Sequence, residues 1–272
     1  MTYKLGWFST ARGSGSRALL KTAYESIRRG ELKAEIAFVF CSREPGESDE
    51  TDLFFEQVKS YRIPLVYFSY QKFKAKYGSR VEVGTIPPWR LEYDREVMKR
   101  LESFHPDLCI LAGYMLVVGP ELCQKYNMVN LHPAAPTGPK GTWQEVIWQL
   151  IDSKTRETGV MMHLVTPELD RGPVVAYCTF AIRGETFDRY WQELEKQPKD
   201  SPEWETARMS LFDLIRRHGL AREFPLIIAT IKAFSEGKIQ VTPDKKVVNS
   251  RGKPIKGYDL TEEINRQVMK NS

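Results

Sequence analysis

Asn130 and His132 are the residues of this chain best suited to handle a proton and a developing negative charge together. They sit in Met128-Val129-Asn130-Leu131-His132-Pro133, which reads as a short apolar strand. Residues two apart on a strand face the same side. Asparagine offers an N–H to an oxyanion, and histidine gives or takes a proton near neutral pH. A lone histidine is more often a structural residue. Here the neighbouring asparagine, the strand end and the Pro/Gly-rich loop from Ala134 to Thr142 favour chemistry.

A second group is Gly13-Ser14-Gly15-Ser16-Arg17, between a strand and a helix start. Glycines let an anion approach the backbone, and the first helical N–H groups have no partner inside the helix. Ser14, Ser16 and the guanidinium of Arg12 or Arg17 can add donors. The loop is not GxxxxGK[ST], which argues against a P-loop NTPase. Gly13, Gly15 and Ala18 fit the looser dinucleotide pattern. That pattern wants an acid at the end of the second strand, where Cys41-Ser42-Arg43 stands, with Glu44 only after it. A turn without ligand is the bland reading, and a monophosphate site is the preferred one.

The third group is the turn-rich Thr166-Pro167-Glu168-Leu169-Asp170-Arg171-Gly172-Pro173. Taken alone, Glu168 and Asp170 read as solvated loop acids. If Asp170 reaches His132, its charge favours the imidazolium and makes His132 a usable general acid. His163 falls inside a strand, where a core or supporting role is the simpler reading.

These groups need a frame. Lys4 to Ser9, Glu35 to Cys41, Ile63 to Phe68, Asp107 to Gly113, Met128 to Pro133, Gly159 to Val165 and Val174 to Phe180 read as strands, several apolar on both faces. Helical patterns follow, with Leu19, Leu20, Ala23, Tyr24 and Ile27 on one face of the first. Others cover Leu53 to Tyr61, Trp89 to Phe104, Pro120 to Tyr126 and Thr142 to Asp152. Gln71 to Pro88 reads as basic and irregular, and Tyr190 to Glu205 as charged and interrupted by prolines. Ala207 to His218 and Glu223 to Ser235 read as two helices, Lys238 to Val241 as a short strand, and Thr261 to Met269 as a last helix after a turn at Asn249 to Gly252. The alternation predicts an α/β fold with a doubly wound, mainly parallel Rossmann-like sheet and a C-terminal helical/strand extension. Residues 1–242 form the expected catalytic domain, and 243–272 an extension without an assigned role.

The length of 272 residues and 42% apolar content allow a sizeable core. The net charge of +5 suits an anionic substrate or nucleic acid and proves neither. Cys41, Cys109, Cys123 and Cys178 are scattered, which disfavours a disulfide framework and a zinc knuckle; no metal is expected. Neither a signal peptide nor a run of the ~20 apolar residues that span a bilayer is seen, so a cytoplasmic protein without membrane contact is expected. Lys72 to Lys76, with Tyr70 and Tyr77, is the one candidate basic stripe for nucleic acid and reads better as a solvated loop.

Together the Gly13–Arg17 loop, Ala112-Gly113-Tyr114-Met115, Asn130-Leu131-His132-Pro133 and Thr158-Gly159 through Glu168-Leu169-Asp170-Arg171-Gly172-Pro173-Val174 resemble the folate-dependent formyltransferases, in the family's order and at near-family spacing. The branch that acts on glycinamide ribonucleotide in purine synthesis is the most similar. The resemblance covers about residues 4–185 and continues weakly to about 242. It implies Asn130, His132 and Asp170 as the catalytic trio, and Gly13, Ser14, Gly15, Ser16 and Arg17 around the substrate phosphate. It also implies Arg90 beside the formylfolate and Met115, Leu116, Val117 and Val118 along the pterin. The implied reaction passes the formyl group of 10-formyltetrahydrofolate to a substrate amine. The partners are then a phosphorylated ribosyl amine and a reduced folate, with no nucleic acid. Leu116 stands where the glycinamide branch commonly has arginine. Gly138-Pro139-Lys140-Gly141-Thr142-Trp143 replaces its usual loop, Met161 a small polar residue, and Leu220 an expected substrate-contacting glutamate. These departures concern the acceptor. Transfer to another amine (methionyl-tRNA or an amino sugar) and a non-catalytic folate- or phosphate-binding protein remain as alternatives.

Overall fold

The computed structural model describes residues 2–76, 86–168 and 170–271. The chain runs β1 (Tyr3–Ser9), α1 (Ser14–Arg28), β2 (Ala34–Cys41), α2 (Asp49–Ser60), β3 (Leu65–Tyr67), α3 (Tyr70–Ala75), α4 (Pro88–Arg100), β4 (Leu108–Leu111), α5 (Pro120–Lys125) and β5 (Met128–His132). It continues α6 (Trp143–Asp152), β6 (Glu157–Leu164), β7 (Val174–Ala181), α7 (Glu185–Lys196), α8 (Pro202–Ser235), β8 (Ile239–Val241), β9 (Val247–Asn249), β10 (Tyr258–Asp259) and α9 (Thr261–Asn271). Two compact units result, one of Met1–Asn130, His163–Pro173 and Ile231–Pro254, the other of Leu131–Met162, Val174–Thr230 and Ile255–Ser272.

In the first unit β1 pairs in parallel with β2 and with β4; β3 adds to β2 and β5 to β4, also in parallel. The order β3-β2-β1-β4-β5 means that the chain winds outward from β1 and then returns to its other side. Parallel neighbours need a crossover, which the helices supply. Strand order reverses between β1 and β4, and open α/β sheets bind ligands at the carboxyl ends of such a pair. Phe8, Phe38, Phe40, Tyr93, Val97 and Tyr114 belong to the buried cluster that fixes these strands. The doubly wound, mainly parallel α/β class expected from the sequence is present.

In the second unit Ile182 donates to Arg156 O, so β7 returns antiparallel to β6, and β10 joins β7 in parallel through Tyr258 and Ala176. The C-terminal helix is tied to this edge. Asn265 Nδ2 donates to Thr179 O at 3.0 Å, its Oδ1 accepts from Arg222 Nε at 2.8 Å, and Thr179 N donates to Thr261 Oγ1 at 3.1 Å. The strand-and-helix character expected of the tail is found, with β8 and β9 as a separate antiparallel hairpin in the first unit.

Three local expectations change. The two helices expected before and after residue 220 are one, α8, with Pro225 inside it. A proline in a helix interior costs roughly 3 kcal/mol. Leu211, Leu214 and Ile215 before it, and Leu226 and Ile227 after it, are all buried, and that burial outweighs the break. Part of the segment read as irregular from Gln71 is the helix α3, capped by Ser69 Oγ on Lys72 N; residues 77–85, including Tyr77, lie outside the described residues. The charged segment from Tyr190 begins inside α7, which ends at Lys196, just before Gln197-Pro198.

His218 of α8 packs against Phe187 at 4.8 Å and Phe180 at 6.3 Å between ring centroids. Burial, then the charges of Arg222 and Arg217, hold its pKa below the ordinary histidine value. The folded ring therefore refuses a proton that the unfolded chain accepts. Stability is expected to fall as pH drops below about 6.5 and to be restored above it. Urea midpoints compared across that range should show a shallower acid loss in His218→Phe than in the unmutated protein.

Candidate active site

At the carboxyl end of β1 a chain of buried hydroxyls fixes the loop before α1. Thr10 Oγ1 accepts from Ser42 Oγ at 3.0 Å and from Met115 N at 2.9 Å, while Thr10 N donates to Gly113 O at 3.0 Å. Ser9 Oγ accepts from Ala11 N at 3.0 Å, and Thr51 Oγ1 donates to Ala11 O at 3.2 Å. One side chain thus ties the ends of β1, β2 and β4 together. Thr10→Val keeps the shape and strands the Met115 N–H; a loss of about 1–3 kcal/mol is expected, read as a lower denaturant midpoint.

The glycine loop follows. Gly13 is extended (φ −168°), a conformation any residue adopts, and no side chain caps α1. A Cβ at Gly13 or at Gly15 would meet open space. Neither packing nor backbone strain accounts for these glycines, which leave open space in front of the first helical N–H groups. Ser14 is exposed and Ser16 buried. Arg17 is engaged elsewhere: its Nε and Nη2 hold Glu50 at 3.0–3.3 Å, so its donors are shared with a carboxylate.

The loop after β4 carries the second surface of this switch point. Met115 is 59% exposed and Val117 38% exposed, while Val118 is buried and Leu116 partly so against the core. Such an apolar, open edge suits the face of a flat ring. Arg90 does not reach this surface as a free cation. It is buried at 2% exposure, with Nη1 2.5 Å from Asp94 Oδ1 and Nη2 3.4 Å from Tyr114 Oη. Burial raises the Asp94 pKa against the opposing pull of Arg90, and it also drives the Tyr114 hydroxyl upward.

The end of β5 brings the candidate chemistry. Asn130 is half-buried opposite Leu111, and its carboxamide makes no hydrogen bond to the described residues. His132 is buried at 2% exposure, and its Nε2 lies 3.1 Å from Pro139 O. A carbonyl only accepts, so Nε2 carries a proton there and the ring orientation is set. The segment after Pro133, which departs from the usual family loop, therefore takes part in holding the imidazole. It ends in a capping box in which Thr142 and Glu145 satisfy each other's backbone at the start of α6.

Asp170 lies beside a histidine: its Oδ1 is 3.4 Å from His163 Nε2, and His163 Nδ1 donates to Leu164 O at 3.1 Å. The expected supporting role of His163 is thus joined to Asp170. The turn around it is tight. A Cβ at Gly172 would stand 1.7 Å from Leu164 O, so only glycine fits. Asp170 itself has φ 52°, a left-handed conformation that Asp and Asn tolerate better than most residues. Leu169 lies outside the described residues.

The profile of the formyl transferase family matches residues 11–200, more than half of the chain. The chain belongs to this family. It is 26% identical to the phosphoribosylglycinamide formyltransferase of Escherichia coli over 64% of this chain and 70% of that protein. Against the enzyme of the same name from Haemophilus influenzae it is 24% identical over 90% of this chain and 95% of the relative. The solved glycinamide ribonucleotide transformylase 1 from Symbiobacterium toebii shares the fold, with a TM-score of 0.62 at 20% identity, covering 91% of this chain and 94% of that one.

A formyltransferase of this kind takes its formyl group from 10-formyltetrahydrofolate. The matched span includes the glycine loop, the Met115–Val118 loop, the β5 end and Asp170; the tail beyond residue 242 lies outside it. Sequence reasoning passed over Thr10 and Asp94. Asp94 had a signal, since it stands four residues after Arg90 on one helix. Thr10 had little beyond being polar at a strand end. Lys72 of the basic stripe is bound to Glu44 at 2.7 Å. All four cysteines are buried and free, with burial pushing the Cys41 thiol up to about 12 and Cys178 to about 11. Among the described residues no helix is long and apolar enough to cross a membrane.

Proposed function

We propose that this formyltransferase passes the formyl group of 10-formyltetrahydrofolate to the amine of glycinamide ribonucleotide, a step of purine biosynthesis. The observation that carries the acceptor is the open glycine loop at the start of α1, built for a phosphate, in a chain with two phosphoribosylglycinamide formyltransferases among its relatives. Ser14 and Gly15 offer main-chain N–H groups, the Ser16 N–H being taken by Gly13 O at 3.2 Å; Gly13 offers the space, and Arg17 a charge shared with Glu50. Met115 to Val118 receive the pterin. The amine attacks the formyl carbon, and its lone pair becomes the new C–N bond as the C=O electrons move to oxygen. Asn130 donates to that oxyanion, and His132 supplies or holds a proton beside it. Asp170, set by His163, is the anionic member of the trio. Collapse of the intermediate breaks the bond to folate nitrogen, which leaves with a proton. Residues 1–242 are the catalytic domain in this reading and 243–272 an extension. A cytoplasmic location and small-molecule partners go with it.

A second acceptor class has two observations in its favour. Leu220, where a substrate-contacting glutamate is expected, is 42% exposed, and Trp143 stacks under Arg216 at 4.5 Å in a segment unlike the usual one. An acceptor screen with one formyl donor separates the readings. Product with glycinamide ribonucleotide, and none with methionyl-tRNA or an amino sugar, is expected. Transfer to either of those and not to the ribonucleotide would overturn the assignment.

A further inference from the structure

A buried ion pair grips both ends of the Gly113–Gly119 loop. Arg90 and Asp94 are one turn apart on α4, and each side chain is about 97–98% buried (3% and 2% exposed). The first end is held by Arg90, whose Nη2 donates to Tyr114 Oη at 3.4 Å. The second is held by Asp94, whose Oδ2 accepts the N–H of Gly119 at 2.7 Å. A Cβ at Gly119 would come within 2.8 Å of that same oxygen, so the backbone lies directly on the carboxylate. Between the two grips Met115 N is bound by Thr10 Oγ1. What remains outside these three fixed points is the exposed apolar edge of Met115 and Val117.

Burying a pair of charges is a poor way to gain stability, because packed apolar residues of like volume do as well or better. The pair does something apolar residues cannot. Its two charges each bind a polar group of the loop, at positions five residues apart, and so fix the loop's span and register. We propose that Arg90 and Asp94 are positioning residues for the formyl donor. Arg90 acts through the Tyr114 hydroxyl and Asp94 through the Gly119 amide, together presenting the Met115–Val118 main chain to a reduced folate. This rests on reading that segment as the folate site.

Donor affinity tests it, measured by titration with a stable formylfolate analogue in Asp94→Asn, Tyr114→Phe and Val97→Ala. Val97 is a buried residue of the same helix whose apolar side chain can make neither of these polar grips. Asp94→Asn and Tyr114→Phe should each weaken analogue binding at least fivefold and raise the donor KM to match, with acceptor KM within twofold. Val97→Ala should lower the melting temperature and leave donor affinity within twofold. Should Asp94→Asn fail to fold, Tyr114→Phe, which removes only an oxygen, decides. Unchanged donor affinity in folded Tyr114→Phe, or equal weakening in Val97→Ala, overturns the proposal. Failure of the unmutated protein to bind the analogue at all would instead remove the folate reading, and the positioning role with it.

Discussion

Replacing His132 with alanine is expected to lower turnover by roughly 100–10,000-fold, the range that a positioned proton-transfer group supplies. The imidazole is buried at the end of β5 and anchored through Nε2 to Pro139 O. Nothing of the glycine loop or of Met115–Val118 is altered by the change, so binding of acceptor and donor should survive. The measurement is kcat alongside the donor dissociation constant. A loss of kcat with donor affinity within about threefold fits a residue used in the transition state. Equal losses in both would make His132 a structural residue of the loop from Ala134 to Thr142.

Asn130→Ala should cost roughly 100–1000-fold in kcat, the usual penalty for one lost oxyanion donor. Its stability cost should be small. Asn130 is half-buried, and its carboxamide has no hydrogen bond to the described residues, so truncation strands no partner. A denaturant midpoint near that of the unmutated protein, with the rate down by two to three orders of magnitude, separates function from folding at this position. The double variant with His132→Ala should fall well short of the product of the two losses, because groups serving one transition state act as a unit. Full multiplication would mean that the two residues serve different steps.

Much of this architecture was legible because it rests on short-range physics. Apolar runs such as Glu35 to Cys41 read as buried parallel strands, and the glycine loop lay where a strand meets a helix. Thr142 to Asp152 read as a helix, and α6 covers Trp143–Asp152. What escaped was long-range. Ala207 to His218 and Glu223 to Ser235 read as separate helices, but buried Leu211, Ile215, Leu226 and Ile227 keep α8 whole. Arg17 looked like a free phosphate ligand, and its tie to Glu50 spans 33 positions of sequence. Thr10 joins Met115 across 105 positions, a pairing no local pattern encodes. Asp170 was assigned by resemblance to act on His132, and its further contact with His163 had no signal in the sequence. Reaction type therefore came from a resemblance carried by motifs spread from the Gly13–Arg17 loop to Val174. The acceptor depends on surfaces such as Leu220 and Trp143, for which spacing offered only a departure from expectation.

The most direct measurement of the central claim is the fate of a labelled formyl group. Protein is incubated with formyl-¹³C donor, with and without glycinamide ribonucleotide, and the label is followed by NMR. Formyl transfer predicts an acceptor-dependent amide signal on the ribonucleotide, lost in His132→Ala. Label that stays on the folate whether or not the ribonucleotide is present, or that appears only as formate, would contradict it.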